Sequence, residues 1–470
     1  MTSALRDIVK AYDVRGLVAT QLTPQVAYAL GVAVVEELGL IGKPFVVGHD
    51  MRPSSPELAR ALEAGAAEAG AHPMPIGLCS TDMVYFASGH FDAAAAMITA
   101  SHNPAEYNGI KFAKAGAKGV SLNTGLSGIR DRAIAYLEDN PEPTFSLDDP
   151  HSNDVLGDYV SYLRSLVALE NIRPLKVVVD AANGMGGFTV PAVFGEGAGF
   201  AVLPLDVTEM YFELDGTFPN HEANPLEPKN IVDLQKAVVE HGADIGIAFD
   251  GDADRCFVVD EKGDPVSPSV IGALVAKREI TRVREQLGED STTVLHNLIC
   301  SNVVKETIEA EGATAVRTSV GHSLIKDEMA RTNAVFGAEH SAHYYFRDFY
   351  GADSGMLAAM HVLAELGHSD LPLSAIGAEY SPYVQSGEIN TRVADTQATV
   401  QAVADAFSTK GDVDRLDGLS VIGRETGAEM WWFNVRASNT EPLLRLNVEA
   451  ATQERLDSLT AEVLAIISAG

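Results

Sequence analysis

The sequence predicts an α/β fold in which three related domains with mixed, mostly parallel sheets precede a C-terminal α+β domain. Short apolar runs alternate with helical patterns nearly throughout the chain, as in sheets that are covered by helices. The end of the chain differs, because residues 430–435 and 443–448 alternate like antiparallel strands. At 470 residues, the chain exceeds the ~250–300 residues that one core usually spans. We therefore expect four domains, at 1–150, 151–255, 256–371 and 372–470.

The first predicted domain has an apolar strand at 45–48, a helix at about 56–70 and a second strand at 93–99. That second strand ends abruptly at a polar turn, residues 101–104. The Asn-Pro-Glu-Pro segment at 140–143 breaks the preceding helix, which indicates a linker to the next domain.

The later domains repeat the pattern of an apolar strand that stops at a polar loop. The predicted elements are a helix at 155–168, a strand at 175–180, a helix at 231–239, strands at 245–249, 294–295 and 334–336, and a terminal helix at about 454–467. The polar stops lie at 101–103, 250–255 and 339–341. Chemistry in open α/β sheets collects at the carboxyl ends of strands, so these three loops are the candidates for a site.

The charge balance argues against two classes of partner. The chain has 34 Lys+Arg against 65 Asp+Glu, and its net charge of −31 at pH 7 repels nucleic acid and anionic membranes. An anionic small substrate would need local arginine and lysine side chains.

Cys79, Cys256 and Cys300 form no CxxC pair, and we expect buried, reduced thiols. The N-terminus has no apolar signal region, and no uncharged run reaches ~18 residues, which predicts a soluble, cytoplasmic protein.

An acidic run at 250–255 directly follows the apolar stretch 245–249. Asp250, Asp252 and Asp254 repel one another unless a cation lies between them. In an extended segment, Asp250 and Asp254 would lie ~13 Å apart at ~3.3 Å per residue. Ligands of one Mg²⁺ lie only ~2.0–2.1 Å from the metal. The segment must therefore form a tight loop, which Gly251 permits, and the run predicts a divalent-cation site.

Other interpretations of this loop stay open at this point. A calcium EF-hand would need glycine at the sixth position, where Arg255 stands, and helical flanks where strands are predicted. A phosphotransferase of the haloacid-dehalogenase kind would use Asp250 as nucleophile and Asp252 as acid, and a strand precedes Asp250 as that fold requires. A solvated turn without an ion is the remaining alternative.

The turn at 99–104 holds Ser101 and His102 among further polar groups, and Lys111 follows soon after. A serine that carries phosphate needs Mg²⁺ and a positive neighbour, because the group carries a charge of ~−1.5 to −2. The acidic loop and the Ser101 turn would each supply what the other lacks. A purely structural Ser-Asn-Pro turn is the alternative.

Three more segments hold groups that suit a sugar phosphate. Residues 436–442 combine Arg436 with hydroxyl and amide side chains, which suits a phosphate cradle, although an Asx-type turn is as consistent. Residues 339–343 place a carboxylate, a hydroxyl and an imidazole at alternate positions. If that segment is extended, all three face one side and suit vicinal sugar hydroxyls; a polar hairpin face is the alternative. His322 precedes a helix, and Arg15 lies in a turn near the N-terminus.

Taken together and in this order, these segments resemble the α-D-phosphohexomutase family, and most closely bacterial phosphomannomutase/phosphoglucomutase. The resemblance covers essentially the whole chain, from the turn at 12–16 to the loop at 436–440, and four ordered motifs make it specific. It implies four domains around a central cleft. One position departs from the pattern, because the sugar loop of the family usually has glycine where Ala342 stands.

The resemblance also implies a set of site residues. Ser101 is the phosphoserine, and Mg²⁺ is bound by Asp250, Asp252, Asp254 and a phosphoserine oxygen of Ser101. Catalytic roles in acid/base chemistry or phosphate positioning are implied for His102, Lys111, Arg255, His322 and Arg15. Substrate-binding roles are implied for Tyr12, Arg15, Glu339, Ser341, His343, Arg436, Ser438, Asn439 and Thr440.

The expected reaction interconverts mannose 6-phosphate and mannose 1-phosphate, with glucose phosphates as further candidates. Phospho-Ser101 would donate to the free hydroxyl, giving a hexose 1,6-bisphosphate that serves as intermediate and activator, and the other phosphate would return to Ser101. Alternatives are a phosphoglucosamine mutase, a sugar phosphatase with Asp250 as nucleophile, and a sugar-phosphate sensor without activity. We expect a monomer or homodimer that binds neither nucleic acid nor membrane.

Overall fold

The computed structural model of the protein describes residues 2–146, 152–423, 430–437 and 443–469. The chain divides into two compact units. The first unit consists of Met1–Pro268, Gly321–Phe336 and Ser341–Ser374, and the second unit consists of Ser269–Val320, Gly337–His340 and Ala375–Gly470.

The N-terminal part of the first unit is a six-stranded mixed sheet of order β1-β5-β4-β2-β3, with β6 paired to β5. Its strands are β1 (Val14–Leu17), β2 (Pro44–His49), β3 (His72–Leu78), β4 (Ala94–Ile98), β5 (Tyr107–Lys114) and β6 (Lys118–Gly119). Its helices are α1 (Thr2–Ile8), α2 (Pro24–Leu38), α3 (Ser55–Glu68), α4 (Thr81–His90) and α5 (Leu126–Asp139). Parallel β3, β2 and β4 form one side, and antiparallel β5 pairs with both β4 and β1.

Local sequence explains where α2 begins and ends. Thr23 accepts a hydrogen bond from the backbone N–H of Val26, and Pro24 occupies the first turn, where its missing N–H costs nothing. The helix ends at Gly39, whose φ of 64° is left-handed. The buried face of α2 packs with α3 and α5 on the sheet, in a core that includes Phe45 and Val47.

The second sheet has five strands in the order β11-β10-β9-β7-β8. Its strands are β7 (Leu175–Asp180), β8 (Leu205–Met210), β9 (Ile245–Phe249), β10 (Cys256–Asp260) and β11 (Pro265–Val266), and its helices are α6 (Leu156–Leu166), α7 (Gly186–Val193) and α8 (Val232–His241). Strands β8, β7 and β9 are parallel, whereas β9, β10 and β11 are antiparallel. The sheet therefore continues past residue 255, where we predicted a boundary, because the acidic loop closes a β9–β10 hairpin. The predicted domain boundaries stay a prediction.

The third sheet has the order β13-β12-β14-β15-β16, and the division between the two units runs through β14. Its strands are β12 (Thr293–Asn297), β13 (Thr314–Thr318), β14 (Phe336–Ala338), β15 (Tyr344–Phe346) and β16 (Ala352–Asp353), and its helices are α9 (Pro268–Arg282), α10 (Asn302–Ala310), α11 (His322–Thr332) and α12 (Gly355–His368). Strand β14 begins two residues later than the predicted strand at 334–336. Ala334 and Val335 are buried but lie outside the strand, so their apolar character indicates burial and not hydrogen-bonded pairing in the sheet.

The C-terminal part of the second unit is an antiparallel sheet of order β17-β21-β20-β19-β18. Its strands are β17 (Val384–Arg392), β18 (Gly411–Asp414), β19 (Leu419–Gly423), β20 (Trp431–Ala437) and β21 (Leu443–Ala450), and the helices of this part of the chain are α13 (Leu373–Ala378), α14 (Thr396–Phe407) and α15 (Gln453–Ile467). Leu456, Leu459, Val463 and Ile467 lie on one face of α15 and are buried in the core of this sheet. The predicted fold class, three α/β domains and a C-terminal α+β domain with mixed sheets, is confirmed.

Two further properties bear on the sequence predictions. Cys79, Cys256 and Cys300 are free and buried. Burial raises the pKa of all three thiols, so they are protonated and unreactive at neutral pH. Within the described part of the chain, no helix combines the length and apolar character needed to cross a membrane.

His221 closes a loop of the second sheet and makes a pH-dependent contribution to stability. Its Nε2 lies 3.0 Å from Asp180 Oδ2, and its Nδ1 lies 2.9 Å from the carbonyl oxygen of Glu222. Burial lowers the pKa of His221, but the hydrogen bond and charge of Asp180 outweigh it and raise the pKa above its ordinary value. The stabilisation is therefore complete below the ordinary pKa of ~6.5 and is lost as the pH rises through the raised pKa.

We expect the wild-type protein to lose more stability between about pH 6 and about pH 8.5 than the His221→Gln variant, which keeps a donor to Asp180 but cannot titrate. Urea unfolding midpoints of both proteins at the two pH values measure this difference. Equal pH dependence in the two proteins would contradict the assignment.

Candidate active site

The loop that carries Ser101 begins where β4 ends. Ser101 has a φ of 51°, in the left-handed region, and its backbone N–H donates to Thr99 Oγ1 at 2.9 Å. The Thr99 N–H donates in turn to the carbonyl oxygen of Gly109 in β5. Only 4% of Ser101 is exposed. The chain thus turns sharply at Ser101, as the polar stop after an apolar strand predicted.

The acidic loop begins where β9 ends and forms a tight turn, as predicted. The reason given for the turn was wrong, because the left-handed residue is Ala253, with a φ of 59°, and not Gly251. Glycine is needed at 251 for another reason. A Cβ atom there would lie 2.4 Å from the carbonyl oxygen of Ser101, so a side chain would push the two loops apart.

The two loops meet although 149 residues separate them. Ser101 Oγ donates to Asp250 Oδ2 at 2.8 Å. Arg255 Nε donates to the same Asp250 oxygen at 2.9 Å, and Arg255 Nη2 lies 3.4 Å from Ser101 Oγ. Arg255 also contacts Nδ1 of His102. Burial and the positive charges of Arg255 and Arg15 hold the pKa of His102 well below its ordinary value, so the imidazole is neutral.

Lys111 extends from β5 into the acidic loop and partly neutralises it. Its Nζ lies 2.7 Å from Asp252 Oδ2 and 2.6 Å from Asp254 Oδ2. Burial alone would lower the pKa of Lys111, but the two carboxylates raise it well above its ordinary value, so the ammonium is charged. Three carboxylates against Lys111 and Arg255 leave a net charge of −1, so the loop still attracts a cation.

The carboxylates fit a divalent cation. One oxygen from each of Asp250, Asp252 and Asp254 lies within 4.8 Å of the others. In the described ranges, Asp252 Oδ1 and Asp254 Oδ1 are buried oxygens that accept no hydrogen bond. Such oxygens are costly unless a cation binds them, and carboxylate oxygens are the ligands that Mg²⁺ prefers. Strands and not helices flank the loop, which excludes the EF-hand alternative.

Arg15 and Tyr12 lie near the Ser101 loop and α11, respectively. Arg15, in β1, donates from Nη1 to Asn103 Oδ1 at 2.7 Å and pairs with Asp13 at 2.5 Å. Tyr12 lies against Gly321, where a Cβ atom would come within 2.5 Å of the Tyr12 hydroxyl. His322, which we predicted to precede a helix, is the first residue of α11, and its side chain lies outside the described part of the structure.

The segment 339–343 is a turn and not an extended strand, so the predicted alternation of three side chains on one face is wrong. Ala342, at the position where the family usually has glycine, has a left-handed φ of 67°, which costs an L-residue roughly 1–2 kcal/mol. His343 Nδ1 lies 3.0 Å from Ser341 Oγ, and His343 Nε2 lies 3.6 Å from Asp254 Oδ1. Ser341 and His343 therefore lie beside the acidic loop, within the first unit.

The predicted residues Glu339 and Arg436 belong to the second unit. Glu339 is buried, and Asn297 Nδ2 donates to its Oε1 at 3.3 Å. Arg436 Nη2 donates to Glu388 Oε2 at 3.0 Å, and its Nε is buried without a hydrogen-bond partner among the residues described. Ser438, Asn439 and Thr440 lie outside the described residues.

Two residues that contact the site were missed in the sequence. Thr81, the first residue of α4, donates from Oγ1 to Asp252 Oδ2 at 2.6 Å, and its N–H donates to the Asp252 carbonyl oxygen at 3.0 Å. Arg52, in the turn between β2 and α3, donates to the carbonyl oxygen of Ser101 at 2.9 Å. Both follow strands that stop at polar residues, which is the signal that singled out Ser101 and Asp250.

Comparison with protein families gives one consistent result along the chain. The matches are to phosphoglucomutase/phosphomannomutase alpha/beta/alpha domain I at residues 6–133, domain II at 157–263, domain III at 267–383, and the C-terminal domain at 388–466.

Individual relatives and a solved structure agree with the family match. A protein of Xanthomonas campestris pv. campestris named "Phosphohexose mutases" is 39% identical over 443 residues, which is 94% of each chain. The phosphomannomutase of Salmonella montevideo is 36% identical over 467 residues, 98% of each chain. A crystal structure of a phosphoglucomutase/phosphomannomutase family protein from Burkholderia thailandensis superposes with a TM-score of 0.85 at 28% identity, covering 100% of this chain and 98% of that one. The predicted resemblance and enzyme class, a phosphohexomutase, are confirmed. The chain belongs to the phosphoglucomutase/phosphomannomutase family.

Proposed function

We propose that the protein interconverts mannose 6-phosphate and mannose 1-phosphate by a phosphoserine relay at Ser101. The observation that carries this proposal is the 2.8 Å contact between Ser101 Oγ and Asp250 Oδ2. It brings a hydroxyl nucleophile to a cluster of carboxylates suited to Mg²⁺, which a phosphoryl group on Ser101 would need for neutralisation. The relatives named phosphomannomutase and phosphohexose mutase support a hexose phosphate as substrate.

The proposed cofactor is Mg²⁺, held by Asp250, Asp252, Asp254 and an oxygen of phospho-Ser101. The ion would supply positive charge to the transferring phosphoryl group. Thr81 and Lys111 orient Asp252 from the protein side, since both donate to its Oδ2. A ligand carboxylate held in this way is preorganised for the ion.

The reaction proposed for Ser101 is balanced without an added reactant. The bond between phosphorus and Ser101 Oγ breaks while a bond to the free sugar hydroxyl forms, and the proton of that hydroxyl ends on Ser101 Oγ. The resulting hexose 1,6-bisphosphate then returns its other phosphoryl group to Ser101. Arg255, which reaches both Asp250 and Ser101 Oγ, is placed to neutralise the transferring group. Binding of the other phosphate by Arg436, Ser438, Asn439 and Thr440 remains part of the proposal, as does sugar binding by Glu339, Ser341 and His343.

The contacts of Asp250 argue against the phosphatase alternative. Its Oδ2 accepts from Ser101 Oγ and Arg255 Nε, and its Oδ1 accepts from the Arg255 backbone N–H at 3.2 Å. These three donors make both oxygens poorer nucleophiles, while a carboxylate with about four lone-pair sites can still bind a cation. Mass spectrometry after incubation with a hexose 1,6-bisphosphate tests the assignment, because the mutase carries a stable phosphoryl group on Ser101. A transient, hydroxylamine-labile group on Asp250 would establish the phosphatase instead.

The preference for the sugar can be predicted from the named relatives. Because the relatives are named phosphomannomutase and phosphohexose mutase, we expect turnover of mannose and glucose phosphates, and a kcat/KM for glucosamine 6-phosphate at least about 10-fold lower. Steady-state assays with a trace of hexose 1,6-bisphosphate measure all three. A kcat/KM highest for glucosamine phosphate would replace this proposal with phosphoglucosamine mutase, and no turnover of any sugar phosphate would favour a sensor.

Three other sequence predictions stay predictions. These are a monomeric or homodimeric state, a cytoplasmic location, and the use of hexose 1,6-bisphosphate as activator. The proposal assigns the proton transfer to Lys111 or His322.

A further inference from the structure

One buried side chain holds the backbone of the Ser101 loop at four points. The guanidinium of Arg52 donates four hydrogen bonds to carbonyl oxygens of that loop. The acceptors are Ser101 at 2.9 Å, Asn103 at 2.6 Å, Pro104 at 2.9 Å and Tyr107 at 3.0 Å. Only a planar guanidinium has enough donors in one rigid fork for this set of acceptors.

Arg52 is itself held from several directions. Its backbone N–H donates to Asp50 Oδ1 at 3.0 Å, and its Nε lies 3.3 Å from Asp50 Oδ2. Ser55 Oγ donates to the same Asp50 Oδ1 at 2.5 Å. The Phe218 ring covers the guanidinium, with its centroid 5.1 Å from Arg52 Cζ. A Cβ atom at Gly216 would lie 2.5 Å from Arg52 Cα, so glycine lets the loop that carries Phe218 approach.

The arrangement of the carbonyl groups explains why a cation is needed at this place. Four carbonyl oxygens that converge on one point repel one another, and Ser101 holds a left-handed φ that most side chains avoid. The buried positive charge of Arg52 attracts all four oxygens and so offsets their mutual repulsion. The geometry of the loop therefore depends on Arg52, and the direction of Ser101 Oγ depends on the loop.

We propose that Arg52 is a positioning residue for phosphoryl transfer, which keeps Ser101 Oγ against Asp250 by fixing the backbone of residues 101–107. Among the described residues, Arg52 makes no hydrogen bond to Ser101 Oγ or to the acidic loop, and it acts through these carbonyl groups. The catalytic part of the proposal rests on the proposed function, whereas the rigidity of the loop is measurable without any activity.

The test is the Arg52→Lys variant. Lysine keeps the positive charge but replaces the planar guanidinium, with its fork of N–H donors, by one compact ammonium group. We expect kcat to fall by about 10²-fold, as for small misplacements of reacting groups. We expect KM to change by less than about threefold, because substrate contacts are intact. Amide hydrogen exchange followed by mass spectrometry should show faster exchange in the peptide that spans residues 99–109.

The chain offers a matched control in Arg164, which makes the same kind of clamp in the second domain. Its guanidinium donates to the carbonyl oxygens of Val193 and Ala201, and its Cζ lies 5.5 Å from the Phe200 ring. We expect both Arg164→Lys and Arg52→Lys to lower thermal stability. Arg164→Lys should leave kcat per folded enzyme and exchange in residues 99–109 unchanged.

A milder variant covers the case in which Arg52→Lys fails to fold. Phe218→Leu removes the ring over the guanidinium from a partly exposed position, and we expect a kcat reduced by about threefold to tenfold with faster exchange at residues 99–109. Wild-type kcat with unchanged exchange in the folded variant overturns the proposal. If wild-type protein has no mutase activity, the proposed function fails, but the exchange measurement still decides whether Arg52 holds the loop.

Discussion

Replacement of Ser101 by alanine is expected to lower kcat by about 10⁴-fold or more, as loss of a covalent nucleophile does in other enzymes. The variant has no oxygen that can carry the phosphoryl group. The partners of Ser101 Oγ include Asp250, Arg255 and His102, and Asp250 and Arg255 still pair with each other at 2.9 Å, so the site should keep its shape. Coupled assays of mannose 6-phosphate formation measure kcat, and intact-protein mass spectrometry measures phosphorylation by hexose 1,6-bisphosphate.

Ser88 provides a matched control for this experiment. Like Ser101 it is buried, and its Oγ bonds the carbonyl oxygen of Ala93 at 2.7 Å and the N–H of Ala117 at 3.0 Å. Ser88→Ala should cost about 1–3 kcal/mol of stability through the unsatisfied backbone groups, with kcat per folded enzyme unchanged. A Ser101→Ala protein as active as wild type would end the relay hypothesis.

The second large effect is expected for Asp252→Asn. One oxygen of Asp252 is held by Lys111 and Thr81, and the other is buried without a donor among the residues described, so it is free for a cation. Loss of its charge should weaken Mg²⁺ binding by more than the ~10–100-fold typical of a supporting residue, and activity should fall with it. Chelator should abolish wild-type activity, and added Mg²⁺ should restore it.

A measurement without catalysis accompanies this prediction. Mg²⁺ that binds only folded protein should stabilise the wild type by about 2.7 kcal/mol at a concentration of 100 times Kd, and the variant by much less. Asp82→Asn is the control, because Asp82 is also buried but binds Tyr159 and Ser354. Burial raises the pKa of Asp82 to about 6, so the neutral asparagine replaces a carboxylate whose charged form is already disfavoured by burial. Equal Mg²⁺-dependent stabilisation of wild type and Asp252→Asn would refute the metal site.

Local sequence was sufficient to find the two central loops. Both loops follow short apolar strands, at Ala94–Ile98 and Ile245–Phe249. In open α/β sheets, ligands bind at the carboxyl ends of the strands, so polar residues directly after such a strand indicate a site. The repulsion among Asp250, Asp252 and Asp254 then required a cation nearby, and Lys111 and Arg255 are the cations found there.

Predictions from local sequence were wrong or missing for residues that act through backbone groups far away in the chain. Gly251 was interpreted by its conformational freedom, but its importance comes from the carbonyl oxygen of Ser101, which leaves no room for a Cβ atom. Arg52 and Thr81 each follow a strand that stops at polar residues, as Ser101 and Asp250 do, but that signal does not tell which loop they contact. Their roles appear only through those contacts. The alternation at 339–343 failed for a related reason, because Ala342 turns the backbone at a position where an extended strand was assumed.

The amino-acid sequence by itself determined the fold class, the family and the chemical inventory of the site, because periodicity and motif order are properties of short segments. Only the tertiary structure decided that Ser101 touches Asp250, that Lys111 lies between two aspartates, and that Arg52 clamps the loop. Those contacts depend on distances between segments that are far apart in the chain. Such distances are set by how strands pair and how helices pack, and no single segment contains that information.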